Sequence, residues 1–199
     1  MAKLFLKTLF FLIIFLTFAL SILSTTGIKT DKFNTLILKK VNNNYKDTSL
    51  ELEKIRFKFD IKNISLFIET KNPKINYQNL IIPIENIKLY LNFISLFKSN
   101  IQIDKMSVSS KEMNIKQLKN LMVKLKPSNI NSLIINKVES GKLNMNLDLY
   151  FDNNFEVSNL IAKGNAKEVK AKLSKKLFLS ETSFDFFFDT TDIIIKNTK

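Results

Sequence analysis

The chain has 199 residues, 45% of them hydrophobic and 25% charged, enough for one domain with a core beside any apolar segment it carries. It contains no cysteine and no histidine, which excludes disulfides, thiol nucleophiles, imidazole bases and the usual zinc ligands. The formal charge is +13, almost all of it lysine with Arg56 the lone arginine; the lysines are scattered along the chain instead of gathered into a patch of Arg forks and stacked aromatics. That pattern reads as a solvated face and not as a nucleic-acid surface.

From Thr8 to Ile28 there is no charge, and Leu9-Phe10-Phe11-Leu12-Ile13-Ile14-Phe15-Leu16 is apolar throughout. At ~1.5 Å per residue such a helix crosses ~30 Å of hydrocarbon, so residues 1–29 are expected to form a transmembrane anchor. A cleaved signal peptide is the competitor, because Lys3 and Lys7 make a short basic start. Against it, Ser21 to Thr26 offers no Ala-x-Ala type of site. Lysines on both sides of the segment leave its orientation open.

Residues 30–47 follow as an expected amphipathic helix, capped by Thr30 or Asp31, with Phe33, Leu36, Ile37, Val41 and Tyr45 on one side. From 48 to 199 the pattern is mainly β. Apolar residues recur every second position at Ile55, Phe57, Phe59 and Ile61, then Ile64, Leu66 and Ile68. They recur again at Ile82, Ile84, Ile87, Leu89, Leu91 and Phe93, then Ile101, Ile103, Met106 and Val108. Successive strand residues point to opposite faces, so the pattern predicts antiparallel strands apolar on one face and polar on the other. A phase slip between Leu52 and Ile55 calls for a bulge near Glu53-Lys54, and Asn72-Pro73 punctuates the first strand pair.

Asn114 with Gln117 three residues on matches a capping box, and Ile115, Leu118, Leu121, Met122 and Leu125 share a helical face that Pro127 ends. A helix insert over about 114–126 is therefore expected. Alternation resumes at Leu133, Ile135 and Val138, turns at Gly141, and runs from Leu143 to Phe151. A turn at Asp152-Asn153-Asn154 leads to a weaker strand from Phe155 and Val157. Phe184, Phe186 and Phe188 alternate, and Ile193-Ile194-Ile195 begins a last strand with an open edge that could pair with a β partner.

The carboxylates Glu51, Glu53, Asp60, Glu85, Asp104, Asp148 and Asp152 fall at polar phases or turns. No glycine-rich phosphate loop is possible with glycines only at 27, 141 and 164. No enzyme and no cofactor is expected. The apolar face itself is the informative feature. Either a second layer closes it into a barrel or sandwich, or it stays open as a groove on which acyl chains lie at ~0.8 kcal/mol per buried methylene.

The order of an N-terminal span, then Lys39-Lys40-Val41-Asn42-Asn43-Asn44-Tyr45, then Ser49 to Ile55, resembles the start of the AsmA-like group, which includes the TamB-type proteins. Asn72 to Tyr77, Ile87 to Leu91 and Ser95 to Val108 continue the resemblance in strands joined by a small Leu-containing corner, over Met1 to Ile115. The resemblance implies an anchor in the bacterial inner membrane and a β groove in the periplasm. It also implies a role in phospholipid movement and outer-membrane biogenesis, with no catalytic residues. The implied groove lining is Phe57, Phe59, Ile61, Leu66, Ile68, Ile84, Leu89, Leu91, Phe93 and Ile103. Members of the group are usually much longer; about ten strands at ~4.8 Å give only ~50 Å of groove. The alternatives are a single-span adaptor of a lipopolysaccharide export line and a non-lipid outer-membrane assembly scaffold with a closed core.

Overall fold

The computed structural model describes residues 2–31, 34–35, 38, 47–92, 102–125, 127–154 and 156–199. It is mainly β, with an N-terminal apolar helix and an antiparallel sheet that does not close. Helix α1 (Ala2–Thr25) is 24 residues long, ~36 Å, and none of its most apolar stretch is buried by the rest of the chain. The amides of Thr26 and Gly27 both donate to the Ile22 carbonyl at 3.0 and 2.9 Å, ending the helix. Gly27 takes a φ of +69°, and a Cβ there would lie 2.6 Å from the Phe57 carbonyl oxygen and 2.6 Å from Lys58 Cγ. Only glycine therefore lets the chain pass directly from helix into sheet.

The next residues form strand β1 (Ile28–Thr30). Ile28, expected to end the membrane segment, pairs with Phe57, and Thr30, expected to cap a helix, pairs with Ile55. Of the amphipathic helix expected over 30–47, Asn34, Thr35 and Leu38 are helical. Phe33, Leu36, Ile37, Val41 and Tyr45 lie outside the described residues.

The strands that follow are β2 (Thr48–Glu51), β3 (Ile55–Asp60), β4 (Ser65–Lys71), β5 (Lys74–Tyr77), β6 (Leu80–Ile82), β7 (Ile84–Leu91), β8 (Ile103–Ser110) and β9 (Met113–Asn114). Two helices come next, α2 (Ile115–Lys124) and α3 (Asn129–Lys137). The chain ends with β10 (Val138–Phe151), β11 (Val157–Lys172), β12 (Phe178–Phe188) and β13 (Ile193–Lys196). The main sheet runs β1-β3-β4-β7-β8-β10-β11-β12-β13, with β9 beside β10, and a small second sheet runs β2-β5-β6.

This topology corrects two expectations. No bulge joins Leu52 to Ile55, because β2 and β3 belong to different sheets and residues 52–54 connect them. Asn72-Pro73 is not a hairpin turn within one pair. With φ +46° at Asn72, it carries the chain from β4 in the main sheet to β5 in the second. A phase change in sequence looks the same whether a strand bulges or the chain changes sheet.

Helix α2 forms with its capping box intact. Gln117 N donates to Asn114 Oδ1 at 2.9 Å and Asn114 N donates to Gln117 Oε1 at 3.0 Å. Leu118 is buried, and Lys124 Nζ donates to the Gln78 carbonyl at 3.1 Å, tying α2 to the second sheet. Residues Leu133 and Ile135, read as a strand start, lie in helix α3, capped by Ser128, whose Oγ accepts from Asn131 N at 3.1 Å. Leu133-Ile134-Ile135 is an unbroken apolar run, and periodicity cannot assign such a run to strand or helix.

Gly141 is a bulge inside β10 and not a turn; its φ is +145°. Strands β11 and β12 have irregularities at the same level, beside Glu168 and Glu181, both at φ +54°. Each shifts its strand's phase, so Val138, Leu143, Ala166, Val169, Ala171, Leu179 and Phe184 pack in one cluster despite mixed odd and even numbering. Lys142 pairs with Glu168 at 3.3 Å and Lys170 with Glu181 at 3.0 Å across this line. These ion pairs are exposed, so their contribution is ~0–1 kcal/mol each.

Candidate functional site: an apolar sheet face

Cross-strand partners share a face, so the register assigns every strand residue to one side of the main sheet. One row reads Thr30, Ile55, Thr70, Ile87, Val108, Leu147, Ala162, Phe188 and Ile193, from one edge of the sheet to the other. The adjacent row reads Ile28, Phe57, Ile68, Leu89, Met106, Leu149 and Leu160. Beyond it lie Phe59, Leu66 and Leu91, with Ile103 opposite Leu91. On the other side of the first row, Met145, Gly164, Phe186 and Ile195 align. At ~4.8 Å per strand the longest row spans ~40 Å.

Most of these side chains are half-buried: Phe57, Phe59, Leu66, Ile68, Leu89, Met106, Leu147, Leu149, Phe186 and Phe188 all retain solvent contact. The fully buried members are Ile55 and Leu91, and small residues such as Ala162 and Ala166 between larger neighbours. Ile55 and Leu91 are therefore covered, while the other large side chains of the face keep part of their surface open.

Of the ten residues expected to line the site, Phe57, Phe59, Leu66, Ile68, Leu89, Leu91 and Ile103 come together on this face. Ile84 is buried opposite Ser110 at its base, beside a register shift. Ile61 does not belong to it. It lies in the turn between β3 and β4, 60% exposed, because Asp60 accepts the amides of Lys62 and Asn63 and ends the strand. Phe93 lies outside the described residues. Leu147, Leu149, Leu160, Phe184, Phe186 and Phe188 complete the face and were not among the expected lining. Their alternation was visible, but nothing local placed β10 to β12 in the same sheet as β3 and β4.

The opposite face interleaves charged residues with aromatic and apolar ones such as Phe67, Tyr90, Tyr150 and Ile161. Lys58 Nζ lies 3.4 Å from Glu69, and Asn86 Nδ2 donates to the other Glu69 oxygen at 3.0 Å. Lys105 lies 3.6 Å from Asp148, which also accepts from Ser107. The Lys105 ammonium sits 4.6 Å from the Tyr90 ring centre and 5.6 Å from that of Tyr150; Lys88 sits 5.4 Å from that of Phe67. Cation–π contacts at partly exposed sites contribute ~0.5–1 kcal/mol each, so these lysines help hold the strands together.

Glu69 is buried, which pushes its carboxyl up, but the Asn86 hydrogen bond and the charge of Lys58 outweigh this and hold it below the usual carboxylate range. A depressed folded value means the unfolded chain binds the proton more readily. The associated stability is therefore present above the ordinary value of 4.5 and lost as pH falls through the folded value. The wild-type melting temperature should fall between about pH 5 and 3. Glu69→Gln should flatten that fall while costing about 2 kcal/mol at neutral pH. Equal acid sensitivity in the two proteins would refute the assignment.

No family model, no curated protein and no solved structure matches the chain. The fold and the site together define an open antiparallel β-sheet protein, apolar on one face and preceded by a helix long and apolar enough to cross a membrane.

Proposed function

We propose that this chain is a membrane-anchored lipid-binding protein that holds phospholipid acyl chains on the apolar face of its main sheet. The role in view is lipid transfer of the AsmA-like type, with α1 in the bacterial inner membrane and the sheet acting as a groove in the periplasm. The observation that supports the reading is the row from Thr30 to Ile193, which crosses nine strands and leaves Ile87, Val108, Leu147 and Phe188 half-exposed. At ~0.8 kcal/mol per methylene, burial of about ten methylenes on that face corresponds to roughly 8 kcal/mol before the costs of ordering the chain. A photo-crosslinking residue at Met106, in the middle of the sheet, should capture phospholipid in cells. Capture of no lipid there, with the protein folded, overturns the proposal.

A second reading, assembly through a sheet edge, has its own observation. All four residues of β13 are exposed, including Ile193, Ile194 and Ile195, and no strand lies beyond it among the described residues. Such an edge accepts one more strand. On this reading the chain self-associates or recruits a β partner, and Ile194→Pro prevents it. A monomer at high concentration whose β13 amides already exchange slowly would exclude it.

A further inference from the structure

Beside β1, the strand that follows α1, a cleft of about 450 Å³ is lined by Lys29, Lys54, Arg56, Lys71 and Glu53, four cations against one carboxylate. Lys29 and Arg56 are directly opposite in the β1–β3 register, and Lys54 and Lys71 flank the Ile55–Thr70 pair of β3 and β4. Like charges placed so close repel, and Glu53 is the one carboxylate that lines the cleft with them. The carboxylate across from Arg56 is Glu69, already engaged by Lys58 and Asn86. The ion pairs among the described residues involve none of the four cations. Asn34 Nδ2 donates to the carbonyls of Leu52 and Glu53 at 3.4 and 2.9 Å, fixing the segment that presents Lys54.

Lys29 is four residues beyond Thr25, the end of α1, and so lies within ~14 Å of that helix end even if the chain were fully extended. A 24-residue helix of ~36 Å exceeds the ~30 Å hydrocarbon core, which places its end in the headgroup layer. We infer that this cleft seats the phosphate of an anionic lipid in the bilayer that holds α1, and so fixes the base of the sheet on the membrane surface. The cleft is on the face opposite the apolar one, so the lipid it grips keeps its chains in the bilayer. The inference rests on α1 lying in a membrane and not on lipid occupying the apolar face; failure of Met106 crosslinking would leave it standing.

The test uses the full chain in neutral detergent doped with equal amounts of phosphatidylglycerol and phosphatidylcholine, with retained lipid read by native mass spectrometry. Wild type should retain phosphatidylglycerol over phosphatidylcholine by about tenfold. The Lys29→Gln/Arg56→Gln variant should lose that preference, and Lys142→Gln/Lys167→Gln, which removes the same charge far from the cleft, should keep it. Retention that persists in excess inorganic phosphate supports a lipid headgroup as the ligand. Full displacement, with phosphate itself bound, assigns the cleft to free phosphate and overturns the inference. Absence of a preference in wild type, or equal loss in both double variants, also overturns it.

Discussion

Leu147→Asp should leave the chain folded yet abolish lipid capture at Met106, whereas Leu91→Asp should unfold it. Both residues lie on the apolar face, but Leu91 is 6% exposed and Leu147 is half-exposed between Val108 and Ala162. At Leu91 the new carboxylate would be buried without a partner, a change that costs several kcal/mol and exceeds the margin of many domains. At Leu147 water can reach the new charge when no lipid is present, so the cost is lost packing, about 1–2 kcal/mol. A carboxylate facing an acyl chain is far less tolerable, and crosslinking yield should drop at least about tenfold. Unfolding of Leu147→Asp to the same extent as Leu91→Asp would mean that the face is the inside of a closed core. Thermal melts of the two variants, alongside crosslinking yield, separate these outcomes.

Alkaline extraction should leave the full-length chain in the membrane pellet, and Ile13→Lys/Ile14→Lys should release it. Two lysines at the centre of the helix each oppose insertion by roughly 2.5–3.5 kcal/mol, and α1 has no buried surface on the protein to fall back on. Thr25 to Gly27 form the turn that delivers β1 to β3, with Gly27 pressed against Phe57 and Lys58. A mature N-terminus between Ser24 and Gly27 would refute the anchor.

The two faces of the sheet suit the two proposals in different ways. On the face opposite the apolar one, charges are gathered around Glu69, Asp148 and the aromatic rings of Tyr90 and Phe67. On the apolar face, most of the large side chains stay half-exposed among the described residues. The continuity of this exposed apolar surface is the observation on which the lipid proposal rests. The cleft's cations, which take part in none of the ion pairs among the described residues, are the exception on the opposite face, and one of them lies on β1, directly after α1.

Local pattern alone was sufficient for α1, for the capping box at Asn114 and Gln117, for the Asp152 turn, and for the alternating strands from Ile55 to Phe59 and from Leu143 to Phe151. Each of these depends on forces acting over a few residues: helix length in hydrocarbon, a side chain bonding a nearby amide, or the two-residue repeat of a strand. Sheet membership was not legible, because β2 and β3 alternate alike while pairing with different edges. Nor was the length of β11, where Ala162, Gly164 and Ala166 weaken the apolar signal. Those small residues lie between Leu147, Met145 and Leu143 on one side and Phe188, Phe186 and Phe184 on the other, which only the register brings alongside. The bulges at Gly141, Glu168 and Glu181 realign three strands at one level, a constraint that none of the three carries by itself. The basic cleft gathers Lys29, Lys54, Arg56 and Lys71 from separate segments, and their scatter along the chain hid the concentration of charge. Alternation fixes which face a residue takes within its strand; only the meeting of strand edges decides which residues share that face and which charges become neighbours.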